Sequence, residues 1–146
     1  MSSRMLSSET IHASTVAIDG RAVLISGPSG SGKSDLALRL LDRGFTLVSD
    51  DQTLVRREHD RLIASAPQTI AGKMEIRGIG IVEMEHQNDV PVALLVELSS
   101  SIQRLPDDSR ERALLGVKIP MVSIDATTAS AASKVSIALD RLGQRW

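Results

Sequence analysis

The sequence predicts an α/β fold built as a single P-loop domain, and three observations predict it. A β-rich run over 21–26 leads into Gly27-Pro28-Ser29-Gly30-Ser31-Gly32-Lys33-Ser34, and a leucine-rich helix over 35–43 follows. A second apolar run over 45–48 then reaches Ser49-Asp50-Asp51, which completes a strand–helix–strand unit. With 146 residues the chain can fill one core, whereas two domains would leave each half without one. The expectation is one domain over 1–146, with residues 1–9 as a flexible flank.

Each element has its own justification. The run 11–18 reads as a strand, Asp19-Gly20 as a hairpin turn and 21–26 as its partner. The helix over 35–43 carries Leu36, Leu38, Leu40 and Leu41 and stops at Gly44, where a C-cap is expected. A hairpin is predicted from 53–57 and 61–65 around the polar tip Glu58-His59-Asp60. Residues 67–73 read as a loop, and 74–82 as strand and turn, because Gly78 and Gly80 interrupt Ile76, Ile79 and Ile81. The unbroken apolar run 92–98 suits a strand buried on both faces. The stretch 99–105 is ambiguous and 106–109 is a polar loop. A last strand over 119–124 precedes a helix over 129–142 with Val135, Ala138, Leu139 and Leu142 on one face.

Composition excludes several function classes. Aromatics are 1% of the chain, Phe45 and Trp146, so base stacking on aromatic platforms is unavailable. Seventeen basic residues against eighteen acidic ones leave no surplus for nucleic acid. Without cysteine there is no disulfide framework, thiolate zinc site or cysteine nucleophile. The N-terminus lacks the apolar run of a signal peptide, and the longest apolar stretch, 90–96, is too short to span a bilayer. These features point to a cytoplasmic protein with neither nucleic acid nor membrane as partner.

The phosphate loop carries the strongest chemical signal. Its glycines let successive backbone N–H groups curl around an anion, and the helix that follows adds the positive end of its dipole. Lys33 would reach the outer phosphates, and the Ser34 hydroxyl would ligate Mg²⁺. The topology of the crossover makes its two strands parallel, so Asp50 and Asp51 reach the same sheet edge as the loop. One carboxylate is then a candidate Mg²⁺ partner and the other a candidate general base. The bland alternative is a solvated turn. Glu75 and Arg77, two apart in a predicted strand, project from one face, either to hold metal and phosphoryl or as an exposed ion pair. His12, His59 and His86 read alone as structural or surface residues, and no pair of them has metal-ligand spacing. Arg104, Arg110 and Arg112 are candidates for stabilising transferred charge, with solvated arginines as the default.

Together, Ile11-His12-Ala13-Ser14, the loop 27–34, Val48-Ser49-Asp50-Asp51 and Met74-Glu75-Ile76-Arg77-Gly78-Ile79-Gly80-Ile81-Val82 resemble the catalytic domain of HPr kinase/phosphorylase. That bacterial serine kinase acts on the phosphocarrier HPr of the phosphotransferase system and is similar in fold to phosphoenolpyruvate carboxykinase. The likeness covers about residues 10–83 and is looser beyond them. It implies ATP and Mg²⁺ as cofactors and HPr as partner, and it leaves room for a homo-oligomer. By position, Lys33 and Ser34 match the family's loop lysine and serine, and His12 matches its histidine. Asp51 takes the base, Asp50 a place near the metal, Glu75 the Mg²⁺ ligand, and Arg77, Gly78 and Gly80 belong to the signature. Arg112, ahead of Ala113-Leu114-Leu115-Gly116, stands nearest to the later catalytic arginine. The chain looks like the short alphaproteobacterial form without the N-terminal domain. Ile124-Asp125-Ala126-Thr127-Thr128-Ala129 replaces a Pro-Gly-Arg-Asn segment tied to dephosphorylation, which weakens the expectation of phosphorylase activity. A small-molecule kinase and a non-catalytic nucleotide sensor are the rival readings.

Overall fold

The computed structural model describes residues 8–102 and 110–146. In chain order the strands are β1 (Ser8–Ile11), β2 (Ala13–Ile18), β3 (Arg21–Ser26), β4 (Thr46–Ser49), β5 (Thr53–Glu58), β6 (Arg61–Ser65), β7 (Lys73–Ile76), β8 (Gly80–Glu83), β9 (Val90–Leu98), β10 (Glu111–Leu114) and β11 (Val117–Ile124). The helices are α1 (Lys33–Leu41) and α2 (Ala131–Leu142), and a 3₁₀ turn spans Gln68–Ile70. Nine strands form one sheet in the order β1-β5-β6-β9-β3-β2-β4, with β11 also on β9 and β10 on β11; β7 and β8 form a separate hairpin.

The nine-residue β9 explains the branching. Its first residues pair antiparallel with β6, its last four pair parallel with β11, and its other side pairs parallel with β3. Alternate side chains of β3 and β9 therefore enter two cores. Ile25, Leu94 and Val96 pack with Leu36 and Leu40 of α1 and Val135 and Leu139 of α2. Leu24, Val92 and Leu95 pack on the other face with Val55 and Leu62, which the curl of β5 and β6 brings over the sheet. Burial on both faces is why 92–98 lacks polar alternation.

The topology also decides where the loops fall. Both β3 and β4 run antiparallel to β2, which lies between them, so β3 and β4 are parallel without touching. Their carboxyl ends and the amino end of β2 share one edge, which collects the phosphate loop, Asp50-Asp51 and His12.

Several expectations change. Residues 8 and 9 are not a flexible flank; they pair with Arg56 and Val55, while residues 1–7 lie outside the described residues. The predicted strand 11–18 breaks at His12, since Ile11 pairs with β5 whereas Ala13 pairs with β3. Arg77 is not in a strand with Glu75 but in the turn after β7, closed by Ile79 N–H on Ile76 O at 3.0 Å. Gly78, at φ 85, takes the positive angle that a type II turn requires. His86 is not simply a surface residue: it bridges to Leu47 and lies where a Cβ on Gly72 would meet its ring at 2.8 Å. Strand β10 lies in a stretch to which the sequence reading gave no element. It turns into β11 through Leu115 (φ 51) and Gly116 (φ 80), and a leucine in the left-handed region is a poor turn signal. Arg104 and the polar loop 106–109 lie outside the described residues.

Candidate active site

The phosphate loop folds by local rules. Ser31 N–H bonds Pro28 O at 3.1 Å, and Leu36 N–H makes the first helical bond to Gly32 O at 2.9 Å. Gly32 is the N-cap at φ 99, and a Cβ there would lie 3.2 Å from that of Ala126. Glycine is thus required twice, for the angle and for the close approach. Lys33 is buried, and its ammonium donates to Gly27 O at 2.9 Å and Pro28 O at 3.2 Å.

Asp50 is the hub beside the loop. Its Oδ1 accepts from Ser34 Oγ at 2.6 Å and Ser14 Oγ at 3.1 Å, and its Oδ2 accepts from the backbone N–H of Glu75 at 3.2 Å. One buried carboxylate therefore ties together β2, α1, the end of β4 and β7. Ser14 also accepts from Asp51 N–H at 3.0 Å, which fixes the backbone of the second aspartate. Asp51 sits at φ 68 while Gln52 N–H bonds Asp50 O at 2.8 Å, a γ-turn with positive φ, rare and strained. The turn points adjacent side chains apart. Asp50 is buried, and Asp51, 60% exposed, reaches within 3.5 Å of His12 Nε2.

A cleft of about 1030 Å³ unites these groups, lined among others by Lys33, Ser34, Asp50, Asp51, Glu75 and Arg77. The predicted glutamate and arginine thus line the same cleft as the acidic pair although they do not share a strand. Arg112 does not line the cleft: on β10 its guanidinium lies 4.0 Å from Glu97, which also stands 3.8 Å from Arg110. Ser14 carries more of the site than the sequence reading gave it. The signal was its place two residues after His12, near the amino end of a strand antiparallel to β3, which returns it to the same edge. Lys73, at the start of β7, also lines the cleft, with no motif in the sequence to mark it.

The donor set suits a hard cation. Among the described residues no three His, Asp or Glu side chains converge as a cage. Magnesium does not need one, since it takes one or two carboxylates and completes its shell with phosphate oxygens and water. The Ser34 hydroxyl and the Asp50 carboxylate stand together at 2.6 Å, with Glu75 in the same cleft, so the residues fit Mg²⁺ held against a polyphosphate.

The family model described as HPr Serine kinase C-terminal domain matches residues 3–140. The HPr kinase/phosphorylase of Limosilactobacillus reuteri is 35% identical over 138 residues, covering 86% of this chain and 43% of that protein. That of Chlorobaculum tepidum is 38% identical over 127 residues, covering 77% and 37%. This chain therefore spans less than half the length of these curated relatives. The structure of the Hpr(Ser) kinase/phosphatase from Coxiella burnetii superposes with a TM-score of 0.78 at 30% identity, covering 90% of this chain and 94% of that one. A family model spanning nearly all of the sequence, and a solved relative with the same α/β fold, show that the chain belongs to the HPr serine kinase C-terminal domain family.

Proposed function

We propose that the chain transfers the γ-phosphoryl group of ATP, with Mg²⁺, to a serine hydroxyl of the phosphocarrier HPr. The observation that carries this reading is the shared cleft: an anion-binding loop, a hydroxyl–carboxylate pair suited to a cation and a separate exposed carboxylate on one sheet edge. The relatives' names supply the acceptor. A cytoplasmic location goes with it, since ATP is the donor.

In the proposed step the backbone N–H groups of 29–34 hold the polyphosphate at the helix terminus. Lys33 exchanges its two carbonyl partners for phosphate oxygens and meets the charge that builds up during transfer. Ser34 and Glu75, with Asp50 behind them, would hold Mg²⁺, which neutralises phosphate charge when bound. Asp51 accepts the serine proton as the new O–P bond forms and the bond to the β-phosphate oxygen breaks, releasing ADP. His12 orients the Asp51 carboxylate from 3.5 Å. The γ-turn supports this division, because it holds the base toward the open cleft while its neighbour stays with the loop.

Incubation with purified HPr, labelled ATP and Mg²⁺ tests the reading. One label on one HPr serine is expected, and no transfer under these conditions overturns it. Label passing to a metabolite panel without HPr would instead favour a small-molecule kinase.

A further inference from the structure

The active-site cleft holds a second lysine that the proposed transfer step does not use. Lys73 opens β7, whose alternation sends Met74 and Ile76 into the core against Leu36 and Leu40 of α1. Lys73 and Glu75 take the other face, where both are exposed and line the cleft with Asp51. We propose that Lys73 is the cation of the acceptor side: its ammonium pairs with the phosphoryl group once that group stands on the acceptor serine. The proposal rests on the serine-kinase reading above and adds a product-binding residue to it.

The backbone beneath Lys73 is pinned while its side chain is free. On one side Gly72 O accepts from Met84 N–H at 2.8 Å, and a Cβ on Gly72 would lie 2.8 Å from the His86 ring. On the other side the Glu75 N–H donates to Asp50 at 3.2 Å. The stem of Lys73 is therefore mounted on a fixed strand tied to the Asp50 hub. Its acidic neighbours are Glu83, directly opposite in the hairpin, and Glu75, two residues along the same face. Among the described residues Lys73 forms an ion pair with neither.

Charge decides what such a cation is for. Lys33 is buried in the phosphate loop and serves the donor end, at the helix terminus. Transfer turns a neutral hydroxyl into a phosphoserine that carries about −1.5 to −2 charges. That charge arises in a cleft already lined by Asp50, Asp51 and Glu75, and like charges at close range disfavour it. Arg77 lies in the turn beyond β7, whereas Lys73 stands on the strand, on the face that carries Glu75. A flexible stem with a compact ammonium meets a phosphoryl group without a fixed angle of approach.

Calorimetric binding in the presence of Mg-ADP, which occupies the loop and engages Lys33, tests the assignment. Two ligands are compared, HPr and HPr phosphorylated on the serine that the parent labels. Lys73→Met should weaken phospho-HPr about tenfold and change unmodified HPr by less than about twofold, the discrimination of one charge-assisted contact. Lys73→Arg keeps the charge and should stay within about threefold of the parent on both ligands. Lys73 is exposed, so both variants should keep the parent's thermal midpoint. An equal loss on both forms of HPr, or no loss on phospho-HPr, overturns the proposal. So does a loss of ATP affinity without loss of phospho-HPr affinity, which would place Lys73 on the donor side. A parent that neither labels HPr nor binds it removes the acceptor reading itself, and the proposal with it.

Discussion

Two aspartates at opposite ends of the sheet are held in nearly the same way and left in different electrostatic states. Asp50, at the carboxyl edge, is buried and accepts from two serine hydroxyls and one backbone N–H, all neutral donors. Asp89, before the amino end of β9, accepts from the Ser65 hydroxyl at 2.9 Å and from the Arg56 guanidinium at 2.7 Å. The nearest cation by sequence logic, Lys33, is bonded to carbonyls of its own loop and not to Asp50. A carboxylate fixed in place and, among the described residues, with no cation of its own is ready to receive one from a ligand. One already paired with arginine fastens strands together. On the proposed function, the same residue type serves binding at one edge and architecture at the other.

The largest expected effect breaks the chemistry of the carboxyl edge and leaves its architecture. Asp51→Asn is isosteric, and asparagine tolerates the positive φ of the γ-turn, so the fold should persist. If Asp51 is the base, as proposed, its loss should lower transfer to HPr by about 10²–10⁴-fold while nucleotide affinity stays within about twofold. Steady-state turnover with parallel calorimetric binding measures both. Unchanged turnover would take the proton-accepting role from Asp51.

Asp50→Ala sharpens the contrast from the other side, because here the fold itself is at stake. Removing the hub leaves the buried Ser14 hydroxyl and the part-buried Glu75 N–H without their acceptor. The expected loss is about 2 kcal/mol in urea unfolding. Asp51→Ala, next door but exposed, should cost about 0.5 kcal/mol or less. Equal losses would mean that the two side chains are not divided between structure and chemistry as their exposure indicates.

How much of this was legible without coordinates follows from what each feature depends on. The phosphate loop, Gly44 and the Asp19-Gly20 hairpin are local, and residue type at fixed spacing specifies them. Asp50-Asp51 beside the loop needed one topological rule, and the rule held although β2 stands between the two parallel strands. What escaped was set by distant pairing. The break at His12 arises because Ile11 and Ala13 find different partner strands, which no period in 11–18 encodes. Strand β10 is exposed along most of its length and turns at a leucine, so it has neither an apolar pattern nor a turn residue to announce it. Ser14 looks like any strand serine until the sheet folds it against Asp50.

The smallest effect tests the amino edge. The Arg56 guanidinium, aided by the Ser65 hydroxyl, holds the Asp89 carboxyl below its ordinary 3.8. A carboxyl depressed in the folded state adds stability above its unfolded value, and that increment disappears as pH falls through the folded one. Because Asp89 is 63% exposed, solvent screens the pair and limits its worth to about 0.5 kcal/mol. Asp89→Asn should therefore be slightly less stable than the parent at pH 7. The difference should close below the ordinary carboxylate range, where the parent protonates too. Urea unfolding at pH 7 and pH 3 measures it, with transfer to HPr at pH 7 as the companion reading. Turnover should stay within about twofold of the parent, because Asp89 lies at the opposite end of β9 from the loop. A large loss of activity with little loss of stability would show that the two edges are coupled through β9, and the separation of architecture from chemistry would fail at that strand.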